Sequence, residues 1–253
     1  MKKILLLTTF VFNLTYSQVE VSGVISFVRQ RSATILEETS FNLHFNNKFS
    51  FFEKTPLGEK NENLNVPKYI REIFDISPDF EKTYFLFNLD NNKFYFKSLL
   101  LLKYAVAEDD LRFKWEIKSE TKTILGYQCQ RAISTVFRGR SYEAWFASKI
   151  PIPFGPWKAN GLPGMILEFY DLDRLLHFKV NKISLYDERT VDFKQLEEKI
   201  IAENPLSIEK YVLLKNKLNK EFVSRIESRL PKSMGSITSY SKTEIEMFEE
   251  SPN

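Results

Sequence analysis

Apolar and polar residues alternate along most of the chain. Val19, Val21, Ile25 and Phe27 alternate with Glu20, Ser22 and Ser26, and Gly23 interrupts; a period of two predicts a strand. Phe41, Leu43 and Phe45 oppose Asn42, His44 and Asn46. Asn46-Asn47 is expected to turn the chain, because Asn tolerates left-handed backbone, and Phe49 and Phe51 lead back as a hairpin. Residues 55–80 carry Pro56, Gly58, Pro67 and Pro78 among charges and Asn. They predict a long irregular connection with a short helix over 69–74. Residues 84–89 and 94–96 flank Asp90-Asn91-Asn92 as a second hairpin, and 99–102 is a short apolar strand. Phe113, Trp115 and Ile117 alternate with Lys114, Glu116 and Lys118. Residues 127–137, the turn Arg138-Gly139-Arg140, and residues 142–147 form a third hairpin. Strands over 165–171 and 175–186 follow. In the last, the apolar positions switch from even (Leu176, Phe178, Val180) to odd (Ile183, Leu185). A bulge at Asn181-Lys182 would keep both sets on one face.

After Asp187 the period changes. Phe193, Leu196 and Ile200 lie at helical spacing, and Asn204-Pro205 stops that helix. Ser207 can cap a second helix, whose stripe is Tyr211, Leu214, Leu218, Phe222 and Ile226. Pro231 ends it, and 232–253 reads as a mobile tail. Strands followed by helices make an α+β chain: a curved antiparallel sheet, an open half-barrel, with C-terminal helices packed on it. Its layout looks like the half-barrels of periplasmic lipoprotein carriers. The organisation expected is a leader over 1–17, a sheet domain over 18–190, helices over 191–230 on the same core, and a tail over 231–253.

The leader follows from the first residues. Lys2 and Lys3 precede Ile4-Leu5-Leu6-Leu7 and Phe10-Val11-Phe12, and Thr15 and Ser17 fit a signal peptidase site before Gln18. The apolar run is too short to span a bilayer, so the mature chain is expected to be exported, periplasmic or extracellular. Removing Lys2 and Lys3 takes the net charge from +3 to +1. Such a weak charge gives no argument for nucleic acid. A single Cys excludes a disulfide within the chain, and two His argue against a His-built metal centre. Neither a cofactor nor a metal is expected.

Five of the eight Gly and four of the ten Pro fall between 126 and 164. At the centre stands Ile150-Pro151-Ile152-Pro153-Phe154-Gly155-Pro156-Trp157-Lys158-Ala159-Asn160-Gly161-Leu162-Pro163-Gly164. Proline restricts the unordered chain, and glycine permits close approaches. A stiff, apolar, pre-shaped loop of this length points to binding. Ile152, Phe154, Trp157, Lys158, Leu162 and Pro163 are the expected contact residues, with Gly155, Gly161 and Gly164 shaping the backbone.

These residues carry a resemblance. Phe113-Lys-Trp-Glu-Ile, Ile124-Leu-Gly-Tyr-Gln-Cys-Gln-Arg-Ala132, Ala144-Trp-Phe, Ile150-Pro-Ile-Pro, Gly155-Pro-Trp-Lys158 and Gly161-Leu-Pro-Gly-Met-Ile166 are similar to the GLPGLI family of Bacteroidetes secreted proteins. Met165 replaces the second Leu of that motif, and Ala159 stands where a bulkier residue is usual. The resemblance implies export and association with outer-membrane, TonB-dependent-type receptors, with no established reaction. Partners expected are such a receptor, a hydrophobic small molecule or a peptide; nucleic acid and a membrane span are not.

Candidate chemistry is sparse. No nucleophile elbow, phosphate loop, dinucleotide fingerprint or His-Glu-x-x-His is present. Cys129 shares a strand face with Tyr127 and Arg131, and reads as a small buried hydrophobe or as an activated thiolate. Glu168, Asp171 and Asp173 could do acid–base work, although strand alternation separates Glu168 from Asp171. Arg138, Arg140 and Lys158 could gather around an anion. His44 and His177 read as structural or surface residues. Trp115 and Trp145 suggest core, while Trp157 suits recognition equally well. The main expectation is a non-enzymatic exported binding protein; the alternative is a peptide-modifying or hydrolytic enzyme using Cys129 or the Glu168/Asp171/Asp173 carboxylates.

Overall fold

A computed structural model describes residues 20–32, 36–55, 83–100, 103–110, 112–187 and 191–228. The leader, the connection over 56–82 with its expected short helix, and the tail lie outside the described residues.

Among the described residues twelve strands form one sheet: β1 (Gly23–Ser32), β2 (Leu36–Phe45), β3 (Phe49–Lys54), β4 (Tyr84–Asn88), β5 (Lys93–Leu100), β6 (Lys103–Asp109), β7 (Trp115–Ile124), β8 (Tyr127–Phe137), β9 (Arg140–Ala147), β10 (Met165–Asp171), β11 (His177–Leu185) and β12 (Leu206–Ser207). Among the described residues two helices follow the main strands, α1 (Phe193–Ala202) and α2 (Ile208–Glu227). The order is β12-β6-β5-β4-β3-β2-β1-β11-β10-β9-β8-β7, antiparallel throughout except β12 beside β6. The sheet consists of two meanders, β1 to β6 and β7 to β11, joined where β1 pairs with β11.

That order forces curvature. Residues 110–114 carry the chain from β6, next to one edge, to β7, the opposite edge. In a flat sheet the two strands would lie about 48 Å apart. Six peptide steps reach at most about 21 Å. The sheet therefore curls until β6 and β7 approach, leaving a large, open, curved sheet whose edges are β12, beside β6, and β7.

Tight turns explain two of the hairpins. Leu125-Gly126 and Arg138-Gly139 each have positive φ at both positions, the backbone that matches strand twist. The Asn46-Asn47 turn works differently from expectation. The Asn46 side chain carries it, its Oδ1 accepting from the N–H groups of Lys48 and Phe49 at 2.8 Å. The bulge read at Asn181-Lys182 is present: Ser26 faces Lys182, Phe27 faces Val180, and Asn181 is the extra residue.

One core lies on the inner face. Phe27, Phe41, Phe52 and Phe178 pack ring against ring, with Phe85, Phe94 and Phe96 beyond them. Along α2, Tyr211 meets Phe96 edge to face, and Leu214 and Leu218 pack on the same core. Ser207 caps α2 through the Lys210 N–H at 3.4 Å, and Asp192 caps α1 through Gln195 at 2.9 Å. A smaller core forms on the outer face, where Phe193 and Ile200 of α1 cover Phe49, Phe51, Leu86 and Tyr95. The two helices thus cover opposite faces.

Candidate functional site

The 148–164 segment leaves β9, folds over the inner face and returns as β10. Backbone bonds fix its path: Gly161 N–H to Pro153 O at 2.9 Å, Ile166 N–H to Phe154 O at 2.9 Å, and Met165 N–H to Ile150 O at 2.9 Å. Gly164 passes so close to β9 that a Cβ there would lie 2.4 Å from the Ala147 carbonyl oxygen.

Its apolar side chains point inward, which corrects the expected contact surface. Ile152, Phe154 and Leu162 are buried in the main core, and Phe154 meets Phe87 of β4 edge to face at 5.8 Å. The physical reason is the curl of the sheet. A twelve-stranded concavity must be filled, and the loop fills it. Pro163 and Gly161 are exposed, Trp157 is partly exposed, and Gly155 is buried against Ile166.

Lys158 is also buried, at 2% exposure. Its Nζ lies 4.2 Å from the Phe96 ring centroid and 3.8 Å from Asp109 Oδ2. Arg138 Nη2 donates to Asp109 Oδ1 at 2.7 Å. Arg138 and Lys158 do gather around an anion, and the anion is the chain's own Asp109 at the end of β6. This cluster ties the β8–β9 turn and the loop to the far meander. Arg140 goes elsewhere, to Asp173 at 2.7 Å and Asp171 at 3.7 Å.

Above the loop stands a row of rings. Phe113 stacks on Phe137 with centroids 4.1 Å apart and on Trp115 at 5.0 Å. Its edge meets Tyr142 and Phe169, which in turn touch Trp157. Phe113, Trp115, Phe137 and Trp157 are each partly exposed, so they form an aromatic rim where the loop meets β7 and the β8–β9 turn. Trp115 Nε1 donates to Asn160 O at 2.7 Å, fixing its ring against the loop. Trp157 has φ 59°, a left-handed backbone rarely adopted by a bulky residue. A strained residue held by its surroundings is a feature of recognition and catalytic sites.

The outer face of the second meander holds a different cluster. Glu168 pairs with Lys122 and with His177 Nε2 at 2.7 Å. Glu143 accepts from Tyr170, from Trp145 Nε1 at 2.9 Å and from Arg131 at 2.7 Å. Lys122 Nζ sits 4.1 Å from the Trp145 ring centroid. Burial by itself would raise both carboxyls. Hydrogen bonds from His177 and Lys122 outweigh it and bring Glu168 down to about 2, and those from Arg131, Tyr170 and Trp145 lower Glu143. Cys129 is fully buried, and burial pushes its thiol up to about 11 despite the Lys122 charge. It lies on β8 and His177 on β11, three strand spacings or about 14 Å apart. Asp171 is on the inner face, accepting from Leu176 N–H at 2.6 Å. Cys129 and Glu168 both lie in the field of Lys122, while Asp171 and Asp173 are drawn to Arg140 on the other side of the sheet. His44 pairs with Glu53 at 3.3 Å. Among the described residues no group of three or more His, Cys, Asp or Glu is placed to hold a metal ion, and no helix is long and apolar enough to cross a membrane.

Sequence reasoning missed Asp109 as the anion, Tyr142 and Phe169 as the rings beside Trp157, and Phe113 and Phe137 as the next rings of the row. The only signal was Phe113 at the head of an aromatic-rich strand.

The site is thus a curved sheet whose concavity is filled by its own Gly/Pro loop and rimmed with aromatic rings. The model of the family described as N-glycanase peptide, N-terminal domain, matches residues 60–204, and the chain belongs to that family. Among solved structures it is similar to PNGF-II in a C2 crystal form (TM-score 0.51, 15% identity, covering 78% of this chain and 33% of that one). The P21 form gives 0.48 at 14% identity, covering 70% and 30%. An outer membrane lipoprotein-sorting protein domain from Vibrio parahaemolyticus gives 0.30 at 8% identity, covering 70% and 90%. The chain spans about a third of the length of the PNGF-II structures. No curated protein matches it.

Proposed function

We propose that the chain is an exported, non-catalytic recognition module and that its ligand docks on the aromatic rim of Phe113, Trp115, Phe137 and Trp157. The observation that carries this reading is Trp157, a bulky residue held at φ 59° with its ring partly exposed over Tyr142 and Phe169. Rigid aromatic anchors lose little side-chain entropy on binding. The loop contributes indirectly. Ile152, Phe154 and Leu162 wedge it against the core, Lys158 locks it to Asp109, and Trp157 and Pro163 are presented outward.

The interior behind the rim is occupied by the loop itself. This favours a ligand laid across ring edges, such as a peptide or sugar chain, over an apolar small molecule held in a pocket. Glycanase chemistry, where this chain serves it, is supplied by another part or another protein, while this module recognises. The leader sequence supports export and the GLPGLI-type motifs support an envelope setting, in which an outer-membrane receptor is a further partner. The half-barrel reading rests on the opening between the edge strands β12 and β7.

The reading is tested by immobilising the chain and passing over it a denatured glycoprotein, its sugar-free counterpart and outer-membrane vesicles. At least one should be retained, and Trp157→Ala and Phe113→Ala should each weaken retention about tenfold. Retention unaffected by both substitutions, or none at all, would remove the rim as the site.

A further inference from the structure

The two faces of the β7–β8 hairpin differ in kind. Thr121 pairs with Gln130 and Thr123 with Gln128, so these four side chains share one face, together with Ile117 and Ala132. Gln130 faces Phe146 and Ala132 faces Ala144 across to β9, which places them on the inner, loop-bearing side. Glu116, Lys118, Glu120, Lys122 and Arg131 carry the charges of the hairpin, and all pair on the outer side, Glu120 with Arg131 and Lys122 with Glu168. Thr121, Thr123 and Gln128 are exposed, and Ile117 is 45% exposed beside Trp115. A face that merely meets solvent ordinarily mixes charges of both signs. The exposed part of this one carries only hydroxyls, amides and the Ile117 side chain, and it runs into the aromatic rim at Trp115, next to Gly161.

The chemistry of that surface is specific. A hydroxyl or a carboxamide both donates and accepts, which is what a polyhydroxyl ligand offers in return. Shedding water from neutral groups is cheaper than from ions. The Thr/Gln array measures about 5 Å across the strands and about 7 Å along them, the scale of a sugar ring. Trp115 supplies an adjoining aromatic surface, its indole N–H already committed to Asn160. The Gln130 amide donates to Lys118 O at 2.8 Å, so its carbonyl oxygen is held in place within the array.

We propose that the inner face of the β7–β8 hairpin, continuous with the rim at Trp115, binds a neutral oligosaccharide; this rests on the rim being a recognition surface. The test is calorimetric titration of the whole chain with N,N′-diacetylchitobiose, mannotriose, xylotriose and maltotriose, alongside a proline-containing peptide. At least one neutral sugar should bind with a dissociation constant near or below about 1 mM. Thr123→Val and Gln128→Ala, both at exposed positions that leave folding intact, should each weaken it at least fivefold. Sugar binding insensitive to both, or no sugar binding, overturns the proposal. Peptide binding that depends on Trp157 but not on Gln128 would sink the sugar site and leave the rim standing; failure of sugar and peptide alike would sink both.

Discussion

Replacing Lys158 by Met keeps the length and apolar volume of the side chain and removes its charge. In the folded chain the ammonium lies 3.8 Å from Asp109 Oδ2 and 4.2 Å from the centroid of Phe96. Attraction at that separation is about 4 kcal/mol for an effective dielectric near 20. The ring adds about 1–2 kcal/mol. Taking an ammonium out of water costs several kcal/mol, so these contributions nearly cancel. The loss on substitution therefore comes mainly from Asp109, which stays buried. Removing one partner of a buried pair costs about 3–5 kcal/mol when the other is abandoned. Arg138 remains at 2.7 Å from Asp109, so the expected destabilisation is about 2 kcal/mol. Asp109→Asn should cost more, about 3–5 kcal/mol, because it takes one buried carboxylate away from both Lys158 and Arg138. The double variant should lose at least about 1 kcal/mol less than the sum of the singles. Urea unfolding followed by tryptophan fluorescence measures all three at constant slope. Strict additivity, or a Lys158→Met protein as stable as the parent, would refute the buried ion cluster.

Other expectations follow from the same geometry. Gly164→Ala should cost about 3 kcal/mol or more, since its Cβ meets the Ala147 backbone, whereas Gly161→Ala should cost only about 1 kcal/mol. Gly161 has φ 88° but open space, the nearest atoms being those of Trp115 at 4.0 Å; equal losses in thermal unfolding would contradict this. Cys129 should resist a thiol reagent at pH 8 in the native protein and react fully in urea; rapid native labelling would revive the nucleophile reading. Glu168 is depressed on folding, so its stabilisation is complete above its ordinary value of 4.5 and fades as pH falls towards about 2. Glu168→Gln should therefore flatten the acid limb of the stability profile by about 2 kcal/mol, and an unchanged limb would show the pairing to be idle.

Much of the fold was legible because strands with one buried face write their period into the chain. The even-to-odd switch around Asn181 is the sharpest case, since only a bulge keeps Val180 and Ile183 on one side. The arrangement of the loop was not legible. Ile152, Phe154 and Leu162 read as surface anchors because their neighbours are Pro and Gly. Their burial depends on the curl of the sheet, which is set by the span from β6 to β7. The separation of Glu168 from Asp171 followed from alternation. The partners of Lys158 did not, because Asp109 lies forty-nine positions earlier in the sequence and meets it only across the opening of the sheet. The hairpin charge segregation was present in the residues from 116 to 131, hidden by the irregular register between Ile117 and Thr121.

The pairing of β1 with both β2 and β11 also bears on how the chain assembles. Each meander can zip locally, neighbour by neighbour. The seam between them requires a segment near residue 180 to find one near residue 25, a closure with a larger entropy loss than any of the hairpins. Until then two unfinished edges, β1 and β11, stay open to foreign strands. Excising β1 should yield two disconnected half-sheets, not a slightly smaller whole.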